Sequence, residues 1–261
     1  MSKPVLFHIP VSHYNEKVRW ALAWKGIEHD RRAPWPGGHM AVAMWLTRGE
    51  HKTFPVLKLY GRGIGDSTAI IAALEERWPE PPLYPADPEE RRRALELEDF
   101  FDEELGPHIR LLAWHELTAG GEGPDMGPVS DSALSPALRR FAPMRAFAKV
   151  GGEAFVKVRY GVTDTDSAAL ARDKIVAAMD RLEAELGDSE YLVGDSFTVA
   201  DLTAASLFYP LVLPPEGPQI LTDLPPRLEE YLGQFRDRRG YEYVAEMFRR
   251  HRQSARTPQP A

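Results

Sequence analysis

Val5-Leu6-Phe7-His8-Ile9-Pro10-Val11-Ser12-His13-Tyr14-Asn15-Glu16-Lys17-Val18-Arg19-Trp20 reads as strand, sharp turn and helix. Val5 to Ile9 is rich in β-branched and aromatic types, which suit a half-buried pleated strand. Pro10 stops it, because proline cannot donate to a ladder. From about Asn15, good helix formers run to Lys25, and Gly26 closes the helix. Val18, Ala21, Leu22 and Trp24 fall near helical spacing, so one face is expected to be buried.

Ser12 sits at the turn. The first N–H groups of a helix have no intrahelical partner and lie at the positive end of its dipole, so a hydroxyl there stands where an anion is favoured. The same hydroxyl suits an ordinary N-cap. The segment supports both readings.

Working outward, residues 3 to about 84 alternate strand and helix. A short strand is expected near Glu28 to Arg32, then a loop at Ala33-Pro34-Trp35-Pro36-Gly37-Gly38 and a helix over His39 to Thr47. Phe54 to Tyr60 reads as a strand, and Asp66-Ser67-Thr68 opens a helix that runs to Trp78. A strand, helix and strand imply a right-handed βαβ unit, to which a later hairpin and helix add. Thr53-Phe54-Pro55-Val56 puts proline at a strand start. Only about 5% of X-Pro bonds are cis, so an ordinary trans proline is favoured on physics alone. A cis bond would instead turn Val56 outward as an edge able to pair with an extended ligand.

The prolines between Pro79 and Pro88 mark a linker, since neither helix nor central strand accepts them. Beyond it the pattern is helical: Glu89 to Leu105 and Ile109 to Leu117 with a kink at Gly106-Pro107, then Ala137 to Val158, Asp166 to Leu186, Val199 to Leu211 and Pro226 to Arg252. Thr118 to Pro136 is a long loop, and Ser254 to Ala261 a tail. This divides the chain into an α/β domain at 1–84 and an all-helical domain at 85–261.

The 261 residues carry a net charge of -7, which argues against nucleic acid or an anionic membrane as the principal partner. Arg91-Arg92-Arg93 and Arg249-Arg250-His251-Arg252 adjoin acidic positions and read as solvated faces. No apolar run approaches membrane-spanning length and no signal-peptide pattern opens the chain, so a cytoplasmic protein is expected. With no cysteine, disulfides, thiolate metal sites and a cysteine nucleophile are excluded. The eight histidines show no ligand spacing, so no metal is expected.

The order of parts is more specific than any one of them: a Ser-x-x-x-x-Lys-Val-Arg helix, a Phe-Pro-Val strand, an Asp-Ser-Thr helix start, a proline-rich linker and a helical remainder. Gly194-Asp195-Ser196-Phe197-Thr198-Val199-Ala200-Asp201 adds an N-capping box, in which Thr198 caps the helix and Asp201 returns a bond to the cap. The chain resembles the glutathione S-transferase superfamily over nearly its whole length.

The resemblance implies a thioredoxin-like first domain that binds glutathione as co-substrate. It assigns Ser12 to the glutathione sulfur, with Tyr14, His13 and Asn15 as alternatives. Pro55 matches the family's cis proline, Val56 would pair with the cysteinyl part, and Asp66 and Ser67 would hold the γ-glutamyl ammonium and carboxylate. Lys52 or Thr53 would take the glycyl end, with His39 a further candidate. An electrophile would lie against Arg110, Trp114, His115, Tyr160, Phe208 and Tyr209, although aromatics at helical spacing more often form core. The implied activity is glutathione transfer to a hydrophobic electrophile in detoxification, by a homodimer. A zeta-like isomerase and a non-catalytic binding protein are the alternatives. Ser12-His13-Tyr14 departs from the zeta class's serine-serine-cysteine signature.

Overall fold

The computed structural model describes residues 3–33, 38–118, 164–218, 224 and 226–252. Four short strands, β1 (Val5–Phe7), β2 (Asp30–Arg32), β3 (Val56–Leu59) and β4 (Arg62–Gly65), form one mixed sheet in the order β2-β1-β3-β4. The parallel β1–β2 pair is joined through α1 (His13–Trp24), and β3–β4 is an antiparallel hairpin. Between β2 and β3 lies α2 (His39–Leu46), and after β4 comes α3 (Ser67–Arg77). This small sheet followed by helices is the thioredoxin-like plus all-helical arrangement.

The helical part contains α4 (Pro88–Phe100), a π-helical turn (Phe101–Leu105), α5 (Gly106–Thr118), α6 (Thr165–Leu186), α7 (Val199–Val212), α8 (Pro226–Gly233) and α9 (Arg239–His251). The expected kink at Gly106-Pro107 takes the form of that π turn. Proline has no N–H and its ring crowds the preceding turn, and a wider turn accommodates both.

The single helix expected over Pro226 to Arg252 is two helices. Gly233 ends the first, a turn buries Phe235, and Arg238 starts the second while pairing with Asp180 and Glu183. A side chain at Gly240 would overlap Met179, so α9 approaches α6 backbone to side chain.

Helix α7 is buried almost all round, and α1 packs against it. Trp20, wholly buried, stacks on Phe197 and tilts onto Phe248, joining sheet-side and helical cores into one cluster. The Thr198 and Asp201 capping box is formed as the sequence suggests, and Asp201 also accepts from the Leu192 N–H and the Tyr243 hydroxyl. The loop at 119–136, the helix expected over 137–158 and the tail lie outside the described residues.

Candidate active site

Sheet register brings three separate stretches to one end. Phe7 pairs with Val56, and Val56 pairs with Gly65. The end of β1, the start of β3 and the end of β4 therefore lie side by side, and from them lead the Ser12 turn, Pro55 and Asp66-Ser67. The Phe54–Pro55 peptide is cis, as the family resemblance implies and against the trans expectation from base frequency. Val56 is not on an edge, however: β3 is an interior strand, flanked by β1 and β4.

The turn from Ile9 to Ser12 has every carbonyl held. Ile9 O accepts from the Ser12 N–H (3.1 Å) and from Arg19 Nη1 (3.3 Å). Pro10 O accepts from Arg19 Nη2 at 2.9 Å, and Val11 O from the Tyr209 hydroxyl at 2.6 Å. Ser12 O takes the first helical bond, from Glu16 N–H at 2.9 Å. A turn with no unspent acceptor is fixed by bonds to both α1 and α7.

Ser12 is the N-cap of α1, and its Oγ accepts from the Asn15 N–H at 3.4 Å. Acceptance leaves the hydroxyl proton available, so capping and donation to an anion are compatible. The three neighbours are committed elsewhere. Asn15 is fully buried, its carboxamide oxygen on the Ile9 N–H (3.2 Å) and its nitrogen on Phe54 O (3.3 Å). It pins the Ser12 turn to the cis-proline loop.

His13 is buried with Nε2 3.0 Å from Gly106 O. Burial, with the Arg110 charge second, lowers its pKa to about 3, so it is neutral. Tyr14 donates to Asp102 O at 2.7 Å, and burial pushes its phenol well above the ordinary range. Both side chains reach from α1 to the α4–α5 junction.

Asp66 caps α3, accepting from the Ala69 N–H at 3.0 Å, with φ of 70°. A positive φ favours glycine, and with ψ of 135° the residue lies outside the left-handed helical well that aspartate tolerates, so its backbone is strained. Its side chain is exposed, Ser67 is buried behind it, and Lys52 and Thr53 are exposed on the loop before the cis proline. Behind Ser67 lies an ionic cluster. Lys17, wholly buried, meets Glu98 at 2.8 Å and Asp102 at 3.0 Å, and donates to Thr68 at 3.2 Å. With two carboxylates to one ammonium, burial and the Asp102 charge raise the Glu98 pKa despite Lys17.

Two family profiles match the chain: Glutathione S-transferase, N-terminal domain, over residues 6–82, and Glutathione S-transferase, C-terminal domain, over 165–234. Together they span more than half of it. The chain belongs to the glutathione S-transferase superfamily. Among curated relatives, maleylacetoacetate isomerase of Rattus norvegicus is 35% identical over 108 residues, 40% of this chain and 50% of that protein. The chain spans about half the length of the curated relatives it matches.

Among solved structures, FzlA from C. crescentus superposes with a TM-score of 0.63 at 18% identity, covering 96% of this chain and 89% of that one. A glutathione S-transferase from Methylobacterium radiotolerans, in complex with glutathione sulfonate, gives 0.54 at 23%, covering 94% and 95%. At these identities both speak for the fold alone.

Against this superfamily frame the helical candidates divide. Arg110 on α5 lies over the Tyr14 ring at 5.8 Å, next to the turn, while Trp114 is half-buried and His115 buried on the same helix. Phe208 is completely buried and meets Phe101 edge to face at 6.1 Å, which makes it core and not lining. Tyr209 is also buried, and its hydroxyl serves Val11. Tyr160 lies outside the described residues. His39 starts α2, its ring 6.3 Å from that of Phe54.

Sequence reasoning missed Arg19 and Arg252. Arg19 falls in the Lys-Val-Arg run quoted for the family, but its partners are invisible in one dimension. Arg252 ends a basic run read as a solvated face. Arg249 and Arg250 do pair with Glu246 in solvent, whereas Arg252 is buried and bonds Glu16 at 2.5 Å. No helix among the described residues is long and apolar enough to cross a membrane, and no cluster there could hold a metal ion.

Proposed function

We propose that the chain is a glutathione-dependent enzyme in which Ser12 donates a hydrogen bond to the glutathione sulfur, holding it as thiolate for attack on a hydrophobic electrophile. The observation that carries this reading is the commitment of neighbouring polar groups. His13 and Tyr14 are spent on internal bonds and Asn15 is wholly buried between Ile9 and Phe54, while the half-buried Ser12 keeps its proton available at the start of α1. Asp66 and Ser67, with Lys52 or Thr53, would hold the two ends of the tripeptide around Pro55 and Val56.

Magnitudes support a joint device. Lowering a thiol from pKa about 8.5 to about 6.5 needs roughly 2.7 kcal/mol of preference for the thiolate. A hydrogen bond to a charged group supplies about 1.5–3 kcal/mol, and a helix terminus about 0.3–1. Ser12 and the α1 dipole together suffice, with serine as donor and not as nucleophile. Residues 1–84 bind glutathione in this reading, and residues 85–261 present the electrophile, with Arg110, Trp114 and His115 on α5 as candidates. In this reading the protein acts in the cytoplasm, as its sequence leads one to expect, and as a homodimer, as the family resemblance implies.

The matched maleylacetoacetate isomerases favour a second reading, a glutathione-dependent isomerase on the same site. The two differ in whether glutathione is consumed. The test is the ultraviolet thiolate absorbance of bound glutathione against pH, in wild type and Ser12→Ala, followed by turnover with an aryl halide. A titration well below about 8.5 that moves up in the variant is expected. Tight binding with no shift in either protein overturns the role of Ser12, and binding without turnover on a broad electrophile panel leaves a binding protein. Turnover of maleylacetoacetate, the substrate for which the matched relatives are named, with glutathione unconsumed selects the isomerase.

A further inference from the structure

The end of the last described helix reaches the Ser12 turn through one carboxylate. Glu16 is 1% exposed, and its two oxygens divide between two guanidiniums: Oε2 accepts from Arg19 Nε at 2.7 Å and Oε1 from Arg252 Nε at 2.5 Å. Arg252 is 236 residues away in the chain from Glu16. It caps α9 through its N–H on Phe248 O, and its guanidinium lies 6.0 Å from the Trp20 ring, whose Nε1 donates to His251 O.

We infer that Arg252 is a positioning residue of the glutathione site: through Glu16 it orients the Arg19 guanidinium, which holds the turn that presents Ser12. This rests on the reading of Ser12 proposed above. A guanidinium is planar, so anchoring Nε fixes the directions of both Nη groups. Arg19 uses those groups on Ile9 O, Pro10 O and His8 Nδ1. An Arg19 free to rotate would release Pro10 O and take one of two bonds from Ile9 O and from Ser12 O, which Arg19 Nη2 also reaches at 3.5 Å.

The same arrangement sets the charge behind the turn. Arg19 and Glu16 alone would cancel, and Arg252 restores one net positive charge under the place where thiolate forms. The other titratable groups around Arg19 do not offset it. His8 is neutral, its pKa lowered to about 3 by burial and by Arg19, and Arg31 on β2 is a further cation. Glu16 stays ionised: burial works against it, but Arg19 and Arg252 outweigh burial and hold its carboxyl below the usual range.

The test is the thiolate titration of bound glutathione in the full chain, comparing wild type, Ser12→Ala, Arg252→Gln and Arg252→Lys, with kcat and KM for an aryl halide. In Arg252→Gln the thiolate pKa is expected to rise by at least about half a unit, a roughly threefold fall in the dissociation constant, read as about threefold less thiolate at pH values well below the pKa. The loss should fall on kcat more than on KM. Arg252→Lys keeps the charge without the planar fork, so about half of the shift should return; it also serves if the glutamine variant does not fold. A pKa that moves in Ser12→Ala but stays at the wild-type value in both folded Arg252 variants overturns this inference and leaves Ser12 in place. A wild type with no lowered thiol pKa overturns both.

Discussion

The Tyr14 hydroxyl donates to the main-chain carbonyl of Asp102, the acceptor that Pro107 cannot serve. In the π turn the Gly106 N–H reaches back five residues to Phe101 O. The next bond in that register would run from residue 107 to Asp102 O, and proline has no N–H to make it. A phenol from α1 fills the gap, while His13 beside it takes Gly106 O. The break in the helix thus becomes the point where the sheet-side domain is latched to the helical one.

Tyr14→Phe should expose the cost of that orphaned carbonyl. Leaving a buried acceptor unsatisfied costs about 1–3 kcal/mol, so the urea midpoint should fall at unchanged m. The thiolate pKa of bound glutathione should stay at its wild-type value. A rise equal to that of Ser12→Ala would make Tyr14 the donor instead.

Gly106 has no room for a side chain, because a Cβ there would overlap the Tyr14 hydroxyl and the ring carbon that bears it. Gly106→Ala should destabilise by about 1–3 kcal/mol, the usual cost of overpacking. Tyr14→Ala in the same chain should recover part of this loss, and Tyr14→Phe much less, since the ring carbon remains. Simple additivity of Gly106→Ala with Tyr14→Ala, measured by denaturant unfolding, would break the proposed link.

Lys17→Met removes the only ammonium among the described groups that meets Glu98 and Asp102. Breaking a buried ion pair from one side costs about 3–5 kcal/mol. Because Glu98 already has a raised pKa, the variant's deficit should shrink as pH falls from 7 to 5 and Glu98 takes up a proton. A deficit that is flat across this range would mean the cluster is wetter than its burial indicates.

His8 and His13, each with a pKa lowered to about 3 chiefly by burial, predict acid sensitivity. Below about pH 6.5 the unfolded chain protonates both while the native state does not, so the unfolded state binds more protons. Stability is full above that pH and declines as pH falls toward 3, by about 1.4 kcal/mol per unit for each histidine. His13→Gln should remove one of these two contributions from the slope. Equal slopes for variant and wild type between pH 4 and 6 would show that His13 is protonated in the native state.

Much of the fold could be read locally. Strand composition before Pro10, the helix after Ser12, the proline-rich linker and the Thr198–Asp201 box all act within a few residues, through backbone sterics and near-neighbour bonds. The single long helix expected over 226–252 failed because its break depends on burying Phe235 and on Arg238 meeting α6, neither of which is a local signal.

The sequence by itself determined the order of strands and helices before the proline-rich linker, the glycines and prolines that punctuate them, and which residue types stand at the two helix starts. Only tertiary structure decided which of Ser12, His13, Tyr14 and Asn15 keeps an uncommitted proton outside the core, and that Tyr209 and Arg252 support the turn instead of lining a substrate pocket or a wet surface. The physical reason is that a buried polar group must find a partner, and that partner is supplied by whatever element packs against it. For Glu16 it comes from the far end of the chain.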